Sequence, residues 1–234
     1  MIDFHNHLLP GIDDGSPDFE TTVRLHQGLT ELGFTEFICT PHIIADTHPN
    51  TPDTIRAAAA SVKQEALNTQ TPLNLRYAAE YMLDDNFFNA LSNREELLTL
   101  HENKILVEFS YIQKLNRIER FSFELQIAGY EPILAHPERY IYYHKNLKYY
   151  EYLRDIGFDL QLNLLSLTPY YGKEVQQVAH HLLNNKLYDY ACTDLHHDRH
   201  LQALKAHFTA DSLRELFEKH NLRNTELSNN SAQR

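Results

Sequence analysis

The chain has 234 residues, of which 42% are hydrophobic and 23% charged, a composition typical of a globular protein with a sizeable core. Its formal net charge of −11 argues against a nucleic-acid partner, because contact with phosphate backbones requires an excess of Lys and Arg. No apolar run reaches the roughly 18 residues of a membrane-spanning helix, and no basic stretch typical of a signal peptide opens the chain. We therefore expect a cytoplasmic enzyme or binding protein that does not insert into membranes.

The predicted elements alternate between strand and helix along almost the whole chain. Apolar runs of strand length predict strands over 1–5, 34–40, 73–80, 104–110, 131–136, 159–165 and 188–194. Helical patterns follow them over 17–33, 52–67, 84–100, 112–129, 147–157, 172–185 and 198–221. Ser16 and Thr51, each followed by Pro, are typical N-caps of the first two helices. This order predicts right-handed βαβ units and a parallel sheet in one domain over 1–222, followed by a polar, frayed tail over 223–234.

Side chains that can bind a metal ion follow six of the seven predicted strands, and the sixth strand offers only Asn163. In a closed α/β barrel all strand ends meet at one face, whereas an open sheet brings together only the strands beside its switch point. The distribution therefore favours a closed barrel with a metal site at that face. The candidates are His5, His7, Asp14, His42, Glu80, Glu108, His136, Asp194 and His196.

The types of these side chains indicate the metal and its chemistry. Imidazole and carboxylate groups without a thiolate suit Mn, Fe or Zn in a catalytic setting. Nine ligands exceed what one ion can use, so we predict two or three divalent ions. Clustered ions supply Lewis acidity and an activated water, which suits the hydrolysis of phosphate esters. Cys39 and Cys192 lie inside predicted strands and lack a following Cys-x5-Arg loop, so we expect buried, reduced thiols and no cysteine nucleophile.

Several short motifs together resemble the PHP (polymerase and histidinol phosphatase) superfamily. They are HNH and LLPGIDDGS near the start, TPH at 40–42, a Glu at the end of the third and fourth strands, HPER at 136–139 and TDLH at 193–196. The match is closer to the bacterial tyrosine-protein phosphatases of this superfamily, the CpsB/YwqE-like enzymes of capsule and exopolysaccharide operons. The resemblance spans about 1–200 and implies a distorted (β/α)7 barrel, a TIM-like fold, with manganese or similar divalent ions.

The resemblance also implies how the ligands are shared among the ions. His5, His7, Glu80 and Asp194 would hold one ion, Glu80 as a bridge with Glu108 and His136 a second, and Asp14, His42 and His196 a third. Asp13 is the alternative to Asp14. The remaining histidines are interpreted as helix, loop or surface residues: His26, His48, His101, His144, His180, His181, His197 and His200.

The implied reaction is in-line attack of a metal-held hydroxide on the phosphate of a phosphotyrosine protein. The expected partner is the tyrosine-rich tail of a bacterial tyrosine kinase. Arg139, three residues after His136, is the predicted phosphate-binding and catalytic cation, because its planar fork matches phosphate oxygens; Arg199 is a second candidate. The tyrosines of 140–152 either line the site or pack a helix against the barrel, and Tyr170 and Tyr171 share this ambiguity.

Two other functions remain open at this point. The same cluster would serve a small-molecule phosphomonoesterase of the histidinol-phosphatase type, against which only the LLPGIDDGS and HPER motifs argue. A non-catalytic metal-binding regulator would typically lack one or more ligands, and here every ligand position is filled.

Overall fold

The chain forms parallel strands surrounded by helices in a computed structural model that describes residues 1–228. The strands are β1 Ile2–Asp3, β2 Glu36–Cys39, β3 His42–Ile43, β4 Leu75–Tyr77, β5 Glu80–Met82, β6 Lys104–Glu108, β7 Glu131–Ala135, β8 Asp159–Asn163 and β9 Tyr190–Cys192. The helices are α1 Phe19–Glu31, α2 Pro52–Asn68, α3 Asp85–Ser92, α4 Ile118–Ile127, α5 Lys148–Asp155, α6 Lys173–Asn184, α7 Asp198–His207 and α8 Ala210–Lys219. Short 3-10 helices cover Pro137–Arg139, Ile141–Tyr143, Leu164–Leu167, Pro169–Tyr171 and Asn224–Leu227.

The second predicted strand, 34–40, contains β2 and is followed just beyond its end by β3, whereas the third is interrupted, so that β4 continues as β5. The strands pair in parallel in the orders β1-β2-β4 and β3-β5-β6-β7-β8-β9. Backbone pairing continues across the interruptions, where the Ala78 N–H donates to Cys39 O and the Glu80 N–H to Pro41 O. β2–β3 and β4–β5 therefore act as the second and third strands of a single sheet.

The two edges of this sheet meet just beyond β1 and β9. The His7 N–H donates to Leu195 O at 2.9 Å and the Asp194 N–H donates to His5 O at 2.8 Å. Asn6 and Leu195 form a parallel bridge between these segments. The sheet closes, and the predicted (β/α)7 barrel is confirmed.

The core is divided between two apolar clusters. The larger cluster joins the outer faces of the strands to the helices, with residues such as Leu25, Val107 and Leu160. The smaller is made mostly of strand residues and includes Leu106. Leu106 and Glu108 lie two residues apart on β6, so their side chains share a face of the sheet. The smaller cluster thus forms an apolar layer inside the barrel, beneath the polar strand ends.

Several helices differ in extent from their predicted ranges. The N-cap of α1 is Asp18, whose carboxylate accepts the Thr21 N–H at 2.8 Å, and not the predicted Ser16. Ser16 is buried, and its hydroxyl instead contacts Thr22 Oγ1 and Asp18 O. The range 198–221 divides into α7 and α8 because Thr209 forms a capping box that starts a new helix. Helices α3 and α4 are also shorter than predicted.

The first part of the predicted tail is packed against the barrel. The Asn224 side-chain amide donates to Ile2 O at 2.9 Å and to Ala191 O at 2.7 Å, and Leu227 is fully buried. The predicted domain boundary at 222 is therefore too early. A polar segment looks the same in composition whether its Asn side chain binds strand carbonyls, as Asn224 does, or is exposed to solvent. The rest of the predicted tail, 229–234, lies outside the described residues. Within 1–228, no helix has the length and apolar character needed to cross a membrane.

Candidate metal centre

The nine predicted ligands come together at the carboxyl ends of the barrel strands. They form four overlapping groups, and within each group the potential ligand atoms all lie within 4.8 Å of one another. The groups are His5, His7 and Glu80; His5, His136 and Asp194; His42, Glu80 and Glu108; and His7, Asp14, His42 and His196. Every residue of the predicted set is a member of at least one group.

Glu80 lies at the centre of the cluster and is fully buried. Its Oε2 is 3.2 Å from His5 Nε2 and 3.0 Å from His42 Nδ1, and its Oε1 is 3.0 Å from His136 Nε2. His42 Nδ1 is also 3.0 Å from Glu108 Oε1. One carboxylate thus faces three imidazoles, an arrangement suited to a bridging ligand.

Two of the candidate ligands adopt backbone conformations that non-glycine residues rarely use. His136 has φ +37° and Asp194 has φ +50°. Each such residue costs about 1–3 kcal/mol and is most often kept where function requires the side chain in that direction. The turns therefore aim His136 and Asp194 into the cluster at the expense of local stability.

Hydrogen bonds at the back of three imidazoles orient their other nitrogen towards the centre. His5 Nδ1 lies 2.8 Å from Gln161 Oε1, His7 Nδ1 lies 2.7 Å from Asp13 Oδ2, and His196 Nδ1 lies 2.9 Å from Asp194 O. Each acceptor favours a proton on Nδ1 and leaves the Nε2 lone pair free for an ion. This is the outer arrangement expected around metal-binding imidazoles.

Several inward-facing atoms are buried and have no hydrogen-bond partner within residues 1–228. They are His5 Nε2, His7 Nε2, His42 Nδ1, Glu80 Oε2 and Glu108 Oε1. Buried polar atoms are nearly always satisfied in folded proteins, so five in one cluster require an explanation. Lone pairs of imidazole and carboxylate that point at one another fit divalent cations between them.

The adjacent acids Asp13 and Asp14 have different environments. Asp13 is turned inward, where its carboxylate faces His7 Nδ1 and accepts the Gly15 N–H at 3.0 Å. Asp14 Oδ1 instead lies 3.6 Å from His42 Nε2 and 3.4 Å from His196 Nε2, beside the cavity. The geometry therefore places Asp14 among the potential ligands and Asp13 behind His7.

Gly15 allows the loop that carries these two acids to fold back on the first strand. A Cβ at this position would lie 2.3 Å from His7 O. Any other residue would push the loop away from His7, so the glycine is required by close backbone approach.

The electrostatics of the cluster favour the charged forms of both its carboxylates and its imidazoles. Burial raises the pKa of Glu80, but attraction to His5 and His42 outweighs it and holds that pKa well below its usual range. The pKa of Asp194 is likewise low, because His5 and His196 outweigh its burial. Without cations, the charge of the carboxylates is thus balanced by protons on imidazoles.

Binding of divalent ions is therefore expected to release protons and to strengthen as pH rises. Burial lowers the pKa of His7, but attraction to Asp13 outweighs it and raises the pKa to about 10, so His7 is protonated at pH 7. A ligand imidazole must lose that proton, so affinity should fall about tenfold per pH unit of acidification for each proton released. Titration calorimetry of Mn²⁺ in buffers of different ionisation enthalpy measures the protons released. A binding heat that does not depend on the buffer would contradict this expectation.

A cavity of about 260 Å³ lies over the cluster. Arg139 forms part of its wall, with Nη1 2.8 Å from Asp194 Oδ2. The Arg139 guanidinium also makes cation–π contacts with two aromatic rings, 4.9 Å from the Tyr111 centroid and 4.2 Å from that of Tyr171. These contacts and the ion pair with Asp194 hold the cation beside the potential metal ligands.

Arg199, the second predicted phosphate contact, is exposed and is not among the residues that line the cavity. It lies in the first turn of α7, where the next residue, His200, is buried and does line the cavity. Consecutive helical residues point about 100° apart, so only one of the two can face inward. The position of Arg199 does not support the predicted contact.

The tyrosines of 140–152 pack in or against the larger apolar cluster and are not among the residues that line the cavity. Tyr140, Tyr143 and Tyr150 are buried in the larger apolar cluster. Of the two alternatives, the packing role is the one observed. The aromatic residue that lines the cavity is Tyr111, whereas Tyr171 contacts the Arg139 guanidinium and is not itself among the lining residues.

Sequence reasoning missed Tyr111, His197 and His200 as lining residues. Tyr111 lies three residues after Glu108, and the two histidines follow the seventh strand. The rule that strand ends form the site, extended a few residues into each loop, would have included all three.

Residues 1–232 match the family described as capsular polysaccharide synthesis, CpsB/CapC. The chain is 29% identical over 197 residues to the tyrosine-protein phosphatase YwqE of Bacillus subtilis, a match that covers 84% of this chain and 77% of that protein. It is 27% identical over 206 residues to the tyrosine-protein phosphatase CpsB of Streptococcus pneumoniae, covering 84% and 83%. A crystal structure from the pair YwqE and CpsB, described as unique metal-dependent tyrosine phosphatases, superposes with a TM-score of 0.78 and 27% identity over 94% of this chain and 93% of that chain.

Proposed function

The chain belongs to the CpsB/CapC family of capsular polysaccharide synthesis, and on this premise we propose that it is a metal-dependent tyrosine-protein phosphatase. The single observation that carries the proposal is the cluster of nine imidazoles and carboxylates, five of which line one cavity together with Arg139. Relatives named tyrosine-protein phosphatases support the same reaction. The substrate class is therefore phosphotyrosine in proteins.

We propose that two or three divalent ions, manganese in the first place, bind to the cluster. When bound, they supply Lewis acidity and an activated water near neutral pH. His42 faces Glu80 and Glu108 as well as Asp14, so it can serve either of two neighbouring ions. The proposed ligands are His5, His7, Asp14, His42, Glu80, Glu108, His136, Asp194 and His196.

Arg139 is the proposed phosphate-binding group of the chain itself. Its guanidinium is charged at any physiological pH and presents several N–H donors in a fixed plane. Its contacts with the rings of Tyr111 and Tyr171 and its ion pair with Asp194 hold it at the cavity wall, where its remaining N–H donors are available to phosphoryl oxygens. This preorganised cation stabilises negative charge on the phosphate during its transfer.

The cavity also suits an aryl ester. Tyr111 lines the cavity and is 39% exposed, so an aromatic side chain is accessible there beside His136, on which its ring is stacked with a centroid distance of 5.6 Å. The phenol released from phosphotyrosine has a pKa of ~10, so its departure depends less on a proton donor than the departure of an alkyl alcohol does. We propose as substrate the tyrosine-rich tail of a bacterial tyrosine kinase.

The alternative of a small-molecule phosphomonoesterase uses the same cluster and differs only in the substrate. The direct test is phosphate release from a phosphotyrosyl peptide and from histidinol phosphate, each with Mn²⁺ and then with EDTA. We expect peptide turnover to exceed histidinol phosphate turnover by at least about tenfold and to be abolished by EDTA. A Glu108→Gln variant, prepared in parallel, controls for contaminating phosphatases.

The other outcomes distinguish the rival functions. A preference for histidinol phosphate would replace the protein phosphatase with a small-molecule enzyme. Metal binding with no turnover of either substrate would instead favour the non-catalytic regulator.

A further inference from the structure

His200 is a buried histidine of the cavity wall that neither the predicted ligand set nor the proposed phosphate contact uses. It is 8% exposed and belongs to α7, which follows the seventh strand of the barrel. It lines the cavity together with Arg139 and His196. Its position raises the question of what its ring offers to a bound substrate.

The hydrogen bonding of His200 defines which nitrogen carries its proton. The backbone N–H of His196 donates to His200 Nδ1 at 3.3 Å. A nitrogen that accepts a hydrogen bond has no proton of its own, so the ring proton lies on Nε2. Nε2 has no hydrogen-bond partner among residues 1–228, and it is not sealed from solvent as the orphaned atoms of the cluster are.

His200 and Arg139 flank the same aromatic ring. The Arg139 guanidinium lies 4.2 Å from the Tyr171 centroid, and the His200 ring lies 6.2 Å from it. The His200 ring also packs nearly perpendicular to the Tyr170 ring, with 5.2 Å between the ring centroids, and this contact limits its rotation. A cationic donor and a neutral donor therefore border the same cavity, which Asp194 and His196 also line.

We infer that His200 is a second phosphate-binding residue, whose Nε2–H donates to a non-bridging oxygen of the phosphoryl group. This inference rests on the proposed phosphatase function for its role in turnover, but phosphate binding can be measured without turnover. Arg139 and His200 would each donate to a phosphoryl oxygen, and the proposed metal ions would bind phosphoryl oxygens as well. The ester oxygen would then be directed towards the cavity mouth. A neutral donor to an anion typically contributes a factor of about 10 to 100 in affinity.

The test uses a pair of substitutions that separate the two ring nitrogens. In His200→Asn the side-chain amide reaches only the Nδ1 position, so it can still accept the His196 N–H but offers no donor to the cavity. In His200→Gln the longer amide reaches the Nε2 position and restores an N–H there. His207→Asn, at the exposed end of the same helix, is the matched control.

The measurements are the dissociation constant of inorganic phosphate, determined by titration calorimetry, and kcat/KM for aryl phosphates of different leaving-group pKa, on Mn²⁺-loaded protein with its metal content determined. For His200→Asn we expect phosphate to bind about 10- to 100-fold more weakly, with the same loss in kcat/KM for every leaving group. His200→Gln should stay within about fivefold of the unsubstituted protein, and the control should not change.

Three results would overturn the inference. They are an unchanged phosphate affinity in His200→Asn, an equal loss in the Asn and Gln variants, and a loss confined to poor leaving groups. If the unsubstituted protein binds phosphate but hydrolyses nothing, the proposed function fails while the phosphate affinities still decide the role of His200.

Discussion

Replacing Glu80 by Gln is expected to lower kcat/KM for a phosphotyrosyl peptide by on the order of 10³-fold. The substitution keeps the shape of the side chain but removes the charge that faces His5, His42 and His136 at 3.0–3.2 Å. A carboxylate between ions contributes several kcal/mol to the transition state, and each 1.36 kcal/mol is tenfold in rate. The measurement is steady-state turnover with saturating Mn²⁺, with bound metal determined on the same samples.

The matched control is Glu131→Gln. Glu131 opens β7 at the opposite end of the strand from His136, and its side chain is 58% exposed. Its exposed contact with Lys104 should matter little for stability, so turnover should stay within about twofold. If Glu80→Gln retained its metal and more than about a tenth of the activity, Glu80 would not be a bridging ligand.

Replacing Arg139 by Lys is expected to lower kcat/KM by about 10²–10³-fold while the bound metal is retained. Lysine keeps the charge but cannot stack a planar group on the rings of Tyr111 and Tyr171, nor offer two parallel N–H donors to phosphate. Loss of one preorganised donor to a developing charge typically costs this much. Metal is retained because Asp194, whose ion pair with Arg139 is lost, still accepts the Asn163 Nδ2–H at 2.9 Å.

Arg199→Lys provides the comparison within the same protein. Because Arg199 is exposed and outside the cavity lining, its replacement should change kcat/KM by less than about twofold. An equal loss in both variants would mean that the phosphate does not bind beside Arg139. The inhibition constant of inorganic phosphate, measured for both variants, shows whether the loss in kcat/KM arises from weaker binding of the phosphoryl oxygens.

Much of the candidate site could be predicted because strand periodicity is local and barrel topology is general. Glu108 ends a continuous apolar run and His136 ends another, so each was recognisable as a strand end. Parallel strands of a closed barrel carry their ends to one face, which joins residues that are far apart in sequence. That rule is enough to predict from the sequence that all nine candidate ligands lie together.

The orientation of these ligands could not be predicted, because it depends on contacts between distant segments. His5 is oriented by Gln161, 156 residues later, and Asp14 differs from Asp13 only through the turn that places one outward and one behind His7. The left-handed backbone of His136 and Asp194 likewise has no signature in composition. Adjacent residues of one type acquire different roles only when the fold defines their surroundings.

The sequence by itself determined the barrel, the face at which the nine candidate ligands gather and the arginine beside them, since these follow from hydrophobic periodicity and the chemistry of single side chains. Only the tertiary structure decided that Tyr111 and Tyr171 contact Arg139, that the tyrosines of 140–152 pack in or against the larger apolar cluster, and that His200 faces the cavity. An aromatic or histidine side chain is equally suited to a core and to a cavity wall. Which of the two it lines depends on packing against remote parts of the chain, and no local pattern records that.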